Sequence, residues 1–278
     1  MTNVTTPDTG GETETVTSAD GTTIAYERTG SGPPLVLVHG GGDVHEFWDL
    51  AGVCTAFADH FTVYAMDRRG RGESGDTAAY ALEREADDVA AVVDSIDDPV
   101  VLLGHSYGAL CALEAVLRTD NLRKLVLNEP PIQVGDHEPL EVEEAVAEIQ
   151  RLLDEGENEG ALVLMLEEVA QLNPDELDAA RSSPIWPDMV DAAHTLPREL
   201  RANAEYEFDA ARFADVTTPT LMLTGGESLP FFTDAAEAVT DALPNSRLVT
   251  FDGHAHEPMN TAPDRFIDEV LAFVRASN

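Results

Sequence analysis

A short apolar strand, a glycine-flanked serine and a helix follow one another so closely that they constrain the fold more than any other stretch. Residues 99–103 form a continuous apolar run after the acidic turn Asp97-Asp98, which predicts a fully buried parallel strand. Apolar residues then recur at helical spacing as far as Asp120. Ser106 lies where the strand must become a helix, so we expect a strained backbone there and a hydroxyl exposed at the edge of the sheet.

The residues on either side of this serine have the sizes that such a bend requires. Gly104 and Gly108 stand two positions before and two after Ser106, where the two chain segments approach most closely. Tyr107 opens the helix, so its N–H group points to a place where an oxyanion could form. A Gly-x-Ser-x-Gly pattern is common by itself, and its interpretation depends on partners elsewhere in the chain.

A second apolar strand is predicted over residues 34–38, and it ends in three glycines. The sequence there is His39-Gly40-Gly41-Gly42. These glycines could simply form a turn. Because the serine bend is expected in the same sheet, the pattern favours a loop that contributes a second oxyanion donor, the N–H group of Gly41.

Strands and helices alternate along most of the chain, which predicts an α/β fold. We expect a mostly parallel, doubly wound sheet of about eight strands with flanking helices. Between residues 132 and 206 no segment has the apolar pattern of a strand, and only helical stretches occur, such as 142–153, 161–172 and 187–193. The prediction is a helical cap, or lid, inserted after the sixth strand, over the side of the sheet where ligands bind.

These patterns divide the 278 residues into three parts. Residues 1–12 are polar and rich in threonine and glycine, and they predict a flexible N-terminal tail. Residues 13–131 and 207–278 are expected to form the core domain, with residues 132–206 as the cap.

The chain is very acidic, with 53 acidic against 16 basic residues, a net charge of −37 and Lys124 as the only lysine. A field of this sign repels nucleic acids and anionic membranes, so neither is an expected partner. The acidic residues are spread along the whole chain, which indicates a halophilic surface whose self-repulsion is screened by concentrated salt.

Other features concern location and assembly. Cys54 and Cys111 lie within apolar helical patterns, which predicts buried thiols without a disulfide. No signal segment and no run of about 18 apolar residues is found. We therefore expect a cytoplasmic protein. Its expected assembly is a monomer or homodimer, and its expected partner is a small-molecule substrate.

Taken together, the chain resembles the α/β-hydrolase superfamily over most of its length, apart from the tail and the cap. The resemblance rests on five elements: His39-Gly40-Gly41, the loop of residues 67–74, Gly104-His105-Ser106-Tyr107-Gly108, Gly253-His254-Ala255-His256, and Ala262-Pro263. It implies that Ser106 is a nucleophile, which argues against the epoxide-hydrolase and dehalogenase branches that attack with aspartate. The arginine-rich loop of residues 67–74 lacks the ending of a phosphate-binding loop and is interpreted as a structural loop braced by Arg–Asp pairs.

The resemblance also selects between two histidines for the general base. Family members generally have a glycine three residues before the catalytic histidine and a proline about seven after it. Gly253 and Pro263 satisfy both conditions for His256 and neither for His254. His256 is therefore the predicted base, and His254 is assigned to the surface or to a supporting role.

The third member of the triad departs from the family pattern. The usual position, after the strand of residues 219–224, holds Ser228, which cannot anchor an imidazolium by charge. Some relatives place their acid one strand earlier, where this chain has Glu129. Glu129 is the predicted acid, with Glu227 and then Asp234 as alternatives.

The resulting hypothesis is a serine-dependent carboxylic ester hydrolase that acts on a small, largely apolar ester through an acyl-enzyme. It requires no cofactor and no metal, and no metal-ligand spacing is evident around His254 and His256. Two alternatives stay open. The same triad could perform another reaction, such as perhydrolysis, carbon–carbon bond hydrolysis or cyanohydrin cleavage, or the chain could be a ligand-binding protein with a vestigial site.

Overall fold

The computed structural model describes residues 11–134, 142–172 and 174–276. The predicted N-terminal tail of residues 1–12 lies almost entirely outside this part of the chain. The first strand already begins at Glu12, one residue before the predicted start of the core domain.

Eight strands form one sheet, as the alternation of strands and helices predicted. Their order across the sheet is β1-β2-β4-β3-β5-β6-β7-β8. The strands are β1 (Glu12–Thr17), β2 (Thr23–Gly30), β3 (Pro34–Val38), β4 (Thr62–Met66), β5 (Val100–His105), β6 (Leu122–Asn128), β7 (Thr220–Gly225) and β8 (Ser246–Phe251).

The sheet is mostly parallel. Strands β3 to β8 pair in parallel with their neighbours, whereas β2 pairs antiparallel with both β1 and β4. The turn sequence Ala19-Asp20-Gly21 predicts a hairpin. Strands β1 and β2 form it, and the chain reverses at Gly21 with φ +89°.

Apolar side chains alternate between the two faces of the sheet, and each face is covered by helices. Leu35 and Leu37 of β3 belong to one apolar cluster, and Val36 and Val38 belong to the other. Strand β5 is buried along its whole length, as expected for a central parallel strand.

Helices flank the sheet and also fill the interval between β6 and β7. The flanking helices are α1 (Val53–Ala58), α2 (Leu82–Asp94), α3 (Tyr107–Ala115), α9 (Pro230–Ala242), α10 (Pro258–Thr261) and α11 (Pro263–Arg275). The interval contains α4 (Val142–Asp154), α5 (Asn158–Leu164), α6 (Pro174–Arg181), α7 (Trp186–Ala192) and α8 (Leu196–Ala204).

Several helices differ from the sequence prediction. The apolar spacing from Phe47 to Phe57 predicts one helix. The structure has two pieces there, a 3₁₀ turn at His45–Asp49 and helix α1, because Gly52 adopts φ +73° between them. The helix expected over residues 161–172 begins earlier, as α5, and continues as a π-helical turn at Met165–Val169. Pro174 stands between two helical stretches of the sequence and predicts a break, but it occupies the first position of α6, where proline is favoured.

The order of the strands fixes where a ligand can bind. Strand β3 lies between β4 on one side and β5 on the other. The chain therefore continues from β3 to one neighbour and later returns to the other side of β3. In open α/β sheets the crevice at such a switch point, beyond the carboxyl ends of the strands, is the binding site. The three glycines after β3 and Ser106 after β5 both lie at this place. No helix in the described part of the chain has the length and apolar character that crossing a membrane requires.

Candidate active site

Ser106 occupies a strained bend between β5 and α3. Its backbone has φ +53° and ψ −124°, an unfavourable combination for a residue with a side chain. A Cβ atom on Gly104 would lie 2.4 Å from the carbonyl oxygen of Gly108, and one on Gly108 would lie 2.3 Å from that of His39. Glycine is therefore required at both positions, as the sequence predicted, and the half-buried Ser106 is raised from the end of the strand.

Two backbone stretches that carry the predicted oxyanion donors lie next to each other. Tyr107 is the first residue of α3, so its N–H group has no acceptor within the helix. A Cβ atom on Gly41 would lie 3.8 Å from Cβ of Tyr107, which places the glycine loop against the start of this helix. Gly41 and Tyr107 are thus adjacent at the carboxyl end of the sheet.

Arg68 holds the glycine loop in place through two hydrogen bonds. Nη1 of Arg68 donates to the carbonyl oxygen of Gly40 at 3.0 Å, and the backbone N–H of Arg68 donates to Nε2 of His39 at 3.2 Å. Burial and the nearby guanidinium hold the pKa of His39 well below its usual value, so the imidazole stays neutral and can accept this bond. Arg68 is itself paired with Glu85 at 2.7 Å, so the charge beneath the loop is compensated.

The rest of the arginine-rich loop is tied to the core in the way the sequence analysis expected. Arg69 forms a bidentate salt bridge with Asp88, in which Nε and Nη2 of Arg69 each lie 2.7 Å from a carboxylate oxygen. Arg69 also reaches Asp20 at 3.1 Å. These bonds keep the loop in place beside the glycines.

The predicted base and acid meet across neighbouring strand ends. Nδ1 of His256 lies 2.5 Å from Oε2 of Glu129, and Oε1 of Glu129 accepts hydrogen bonds from the Thr224 hydroxyl at 2.8 Å and the Gly225 N–H at 2.6 Å. Burial acts to raise the pKa of Glu129, but the contact with the His256 imidazole and the hydrogen bond from Gly225 outweigh it and leave the pKa below its usual value. Glu129 is therefore a carboxylate at neutral pH.

The other candidates lie in different places. Glu227 and Asp234 are exposed, and the backbone N–H of Glu227 donates to the carbonyl oxygen of His254. The imidazole of His254 is hydrogen-bonded to the Thr261 hydroxyl at 3.0 Å. Within the described residues, Glu129 is the acid that contacts His256.

Asn128 connects the serine bend to the histidine loop, which is the segment between β8 and α10 that carries His256. Its carbonyl oxygen accepts from the Ser106 N–H at 2.8 Å, and its side-chain Nδ2 donates to the carbonyl oxygen of His256 at 3.2 Å. The hydroxyl of Ser106 forms no hydrogen bond with any residue that the structure describes. The structure thus brings His256 and Glu129 into contact and joins Ser106 to the same network through backbone atoms.

Aromatic rings fix the orientation of the His256 imidazole. Phe232 stacks on it with ring centroids 4.3 Å apart, and the ring of His105 lies 4.7 Å away. Burial holds the pKa of His105 well below its usual value, and proximity to His256 adds to this effect. His105 is therefore a neutral neighbour of the imidazole.

Helices between β6 and β7 cover the glycine loop. A Cβ atom on Gly42 would lie 3.2 Å from Met165, 3.6 Å from Leu162 and 3.8 Å from Leu196. Glu199 of α8 lies 3.7 Å from the corresponding position on Gly41. The side chains that lie over the glycine loop are therefore mostly apolar, and the exception is the buried carboxylate of Glu199.

Comparisons with known proteins agree with this geometry. The sequence model of the Alpha/beta hydrolase family matches residues 35–269. The solved structure of an alpha/beta hydrolase from Sphaerobacter thermophilus is 37% identical, with a TM-score of 0.81, and the match covers 94% of this chain and 100% of that one. The chain belongs to the alpha/beta hydrolase family.

Two other known proteins resemble this chain, one in its fold and one over part of its sequence. The esterase RhEst1 from a Rhodococcus species is 24% identical with a TM-score of 0.76, and the match covers 96% of this chain and 99% of that one. The probable oxidoreductase EphD of Mycobacterium tuberculosis is 37% identical over 110 residues, which are 37% of this chain and 18% of EphD. The chain thus matches less than a fifth of the length of this curated relative.

Three side chains around this alpha/beta hydrolase site were not predicted as part of it. Asn128 precedes Glu129, and no sequence pattern indicates its role, because that role depends on contacts with residues far away in the chain. Arg68 belonged to a recognised loop, but its bond to Gly40 could not be inferred from spacing. Glu199 lies in α8, where it pairs with Arg71 at 2.6 Å and Arg68 at 3.3 Å, and nothing in a helical pattern indicates such a contact.

One cluster in this family member has the composition of a metal site. Ligand atoms of His45, Glu46 and Asp67 lie within 4.8 Å of one another. Burial lowers the pKa of His45, but hydrogen bonds with Asp67 and Glu27 outweigh this and raise it to about 10. The imidazole is therefore a cation at neutral pH, and it is paired with carboxylates.

Proposed function

We propose that this protein hydrolyses small carboxylic esters, with Ser106 as nucleophile, His256 as general base and Glu129 as the orienting acid. The observation that carries the proposal is the contact between His256 and Glu129, formed beside a strained serine at the switch point of the sheet. A nucleophile, a base within the same network and an acid that orients the base are the parts that acyl transfer requires.

Glu129 supports the base in two ways. By accepting from Nδ1–H, it holds the tautomer in which Nε2 carries a lone pair toward the serine, and its negative charge stabilises the imidazolium that forms later. Hydrogen bonds from Thr224 and Gly225 keep this carboxylate in place. The Ser106 hydroxyl has to reach Nε2 when substrate binds, and such bonds commonly tighten only in the complex.

The reaction then follows in two halves. Ser106 Oγ attacks the carbonyl carbon and passes its proton to His256, while the N–H groups of Gly41 and Tyr107 stabilise the oxyanion. The tetrahedral intermediate collapses, and the alcohol leaves with the proton from His256. Water, deprotonated by His256, attacks the acyl-enzyme and releases the carboxylic acid and free Ser106.

The surroundings of the glycine loop favour a small, largely apolar substrate. Leu162, Met165 and Leu196 lie over Gly42, and Phe232 packs on His256. Apolar side chains of this kind accommodate a short acyl or alkyl group, whereas a long charged chain would lose its hydration. Similarity in fold to esterases such as RhEst1 is consistent with this class of substrate.

The experiment is hydrolysis of p-nitrophenyl butyrate in molar KCl, combined with labelling by diethyl p-nitrophenyl phosphate and mass spectrometry of the modified peptide. We expect turnover by the wild type, with one phosphoryl group on Ser106. Ser106→Ala should abolish both signals, while Ser182→Ala, in an exposed part of the cap, should leave both unchanged. Full turnover by Ser106→Ala, or a stable ester complex without turnover in the wild type, would contradict the proposal.

A further inference from the structure

Asp43 places a carboxyl group beside the nucleophile. It follows the three glycines after β3, and its side chain folds back over them. Oδ2 of Asp43 lies 2.8 Å from the position that a Cβ atom on Gly40 would take, and Cβ of Ser106 lies 3.2 Å from that same position. The carboxyl group and the serine side chain therefore approach one small region of space, which the absence of a side chain on Gly40 leaves free.

This carboxyl group has no partner in the described part of the protein. Asp43 is only 9% exposed, and its oxygens form neither a hydrogen bond nor an ion pair with any described residue. Buried polar groups in folded proteins nearly always have a hydrogen-bonding partner. An unpaired carboxyl that faces a nucleophile indicates that its partner is a group on the ligand.

Charged groups from three elements face Asp43. Glu257 follows the catalytic histidine, Arg68 and Arg71 belong to the arginine-rich loop, and Glu199 comes from α8 of the cap. Two of these neighbours are positive and two are negative, and no ion pair joins either arginine to Asp43 in the described part of the chain. The group is therefore not committed to a structural salt bridge.

We propose that the Asp43 carboxyl touches the bound substrate and hydrogen-bonds to an oxygen of the ester group that Ser106 attacks, alongside the N–H groups of Gly41 and Tyr107. This inference rests on the ester hydrolysis proposed above. It adds a side-chain contact to the two backbone donors, and it makes Asp43 a catalytic residue.

The protonation state of Asp43 decides what this contact can do. Burial raises the pKa of Asp43 well above its usual value, Glu257 raises it further, and the two arginines offset only part of the increase. The neutral acid can donate its O–H to a carbonyl or alkoxide oxygen, as a carboxylate cannot. The proton stays on Asp43 throughout, so no additional proton transfer is required.

A pH dependence follows from this donor role. As the pH rises through the raised pKa, Asp43 loses its proton, and a negative charge then faces the developing oxyanion. The rate should therefore fall on the alkaline side. An asparagine at this position keeps an N–H donor of similar shape and cannot ionise.

The test compares Asp43→Asn and Asp43→Ala with the wild type, and uses Asp59→Asn as a control that removes an exposed charge. For each we would measure kcat and KM for p-nitrophenyl butyrate from pH 6 to 10 in molar KCl, with spontaneous hydrolysis subtracted. We expect Asp43→Ala to lower kcat by about 10²-fold with little change in KM, as removal of an oxyanion donor does. Asp43→Asn should retain most of kcat and lose the alkaline fall, and Asp59→Asn should match the wild type.

Two results would overturn the inference. One is a kcat and pH profile for Asp43→Ala that equal those of the wild type. The other is an Asp43→Asn variant as impaired as Asp43→Ala, because the asparagine retains a donor. Circular dichroism would show whether each variant folds, and if Asp43→Ala does not, the pH profiles of wild type and Asp43→Asn decide. Phosphoryl labelling of Ser106 separates the two proposals, since a wild type that is not labelled contradicts the ester hydrolysis itself.

Discussion

Nδ1 of His256 lies 2.5 Å from Oε2 of Glu129, although 127 residues separate them in the chain. Both residues follow the carboxyl ends of strands in one sheet, β8 in the first case and β6 in the second. The carboxylate is fully buried and is held by two further hydrogen bonds from the end of β7. A buried acid with this many donors is fixed in position, and it imposes that position on the imidazole.

Glu129→Gln should therefore lower kcat for p-nitrophenyl butyrate by roughly 10³-fold or more, because the amide cannot fix the correct tautomer or stabilise the imidazolium. Glu227→Gln is the matched control at an exposed position and should leave kcat unchanged. Steady-state kinetics, with circular dichroism to verify folding, check this prediction. If the Glu227 variant loses activity and the Glu129 variant does not, the acid has been assigned to the wrong residue.

Gly104→Ala should distort the serine bend. The new methyl group would lie 2.4 Å from the backbone oxygen of Gly108 and 2.7 Å from Cα of Ala109, and backbone atoms cannot move aside as a flexible side chain can. Overpacking of this kind costs about 1–3 kcal/mol of the free energy of unfolding. Thermal unfolding would measure the loss. Gly160→Ala in α5 is the control, because its nearest neighbours are side-chain atoms at 3.6 Å. Equal melting temperatures for the two variants would show that the close approach is not constraining.

The His45 cluster predicts a loss of stability at high pH. The pKa of His45 is raised from 6.5 to about 10 in the folded protein, so the protonated form is favoured by folding. Its contribution is therefore fully present below pH 6.5 and is lost as the pH rises from 6.5 through 10. The difference amounts to on the order of 5 kcal/mol of the free energy of unfolding.

Urea unfolding at pH 6 and pH 10 in the same KCl concentration measures this loss. The wild type should lose more stability over the interval than His45→Gln, which lacks the titrating group. His60→Gln, at an exposed position, should behave as the wild type does. Parallel losses in the wild type and the His45 variant would mean that the ion pairs around His45 contribute nothing.

The net charge of −37 predicts a strong dependence of stability on salt. At 0.1 M salt the Debye length is about 10 Å, and at 1 M it is about 3 Å, so repulsion among surface carboxylates is screened only at high concentration. The melting temperature should rise between 0.1 M and 1 M KCl, and part of the circular dichroism signal should be lost on dialysis into low salt. An equal concentration of sucrose serves as the uncharged control. A melting temperature that does not respond to KCl would rule out a halophilic surface.

The sequence by itself determined the parts of this protein that depend on neighbouring residues. A buried strand, a serine between two glycines and a helix within a few positions force one backbone path, because any larger residue at 104 or 108 would collide with the chain. The alternation of strands and helices determined the sheet in the same way, since the period of the apolar pattern is local. Helix boundaries near Gly52 and Pro174 were less accurate, because a positive φ or a first-turn proline can end one helix or begin another.

Only the tertiary structure decided between Glu129 and Glu227 as the residue in contact with His256, and only it revealed the bonds of Asn128, Arg68, Glu199 and the unpaired carboxyl of Asp43. These depend on which strands lie side by side. Strand β6 lies between β5 and β7, so residues at its end can reach both the serine bend and the histidine loop. Contacts between residues that are far apart in the chain follow from the packing of strands and helices, and that packing has no period that a sequence pattern could reveal.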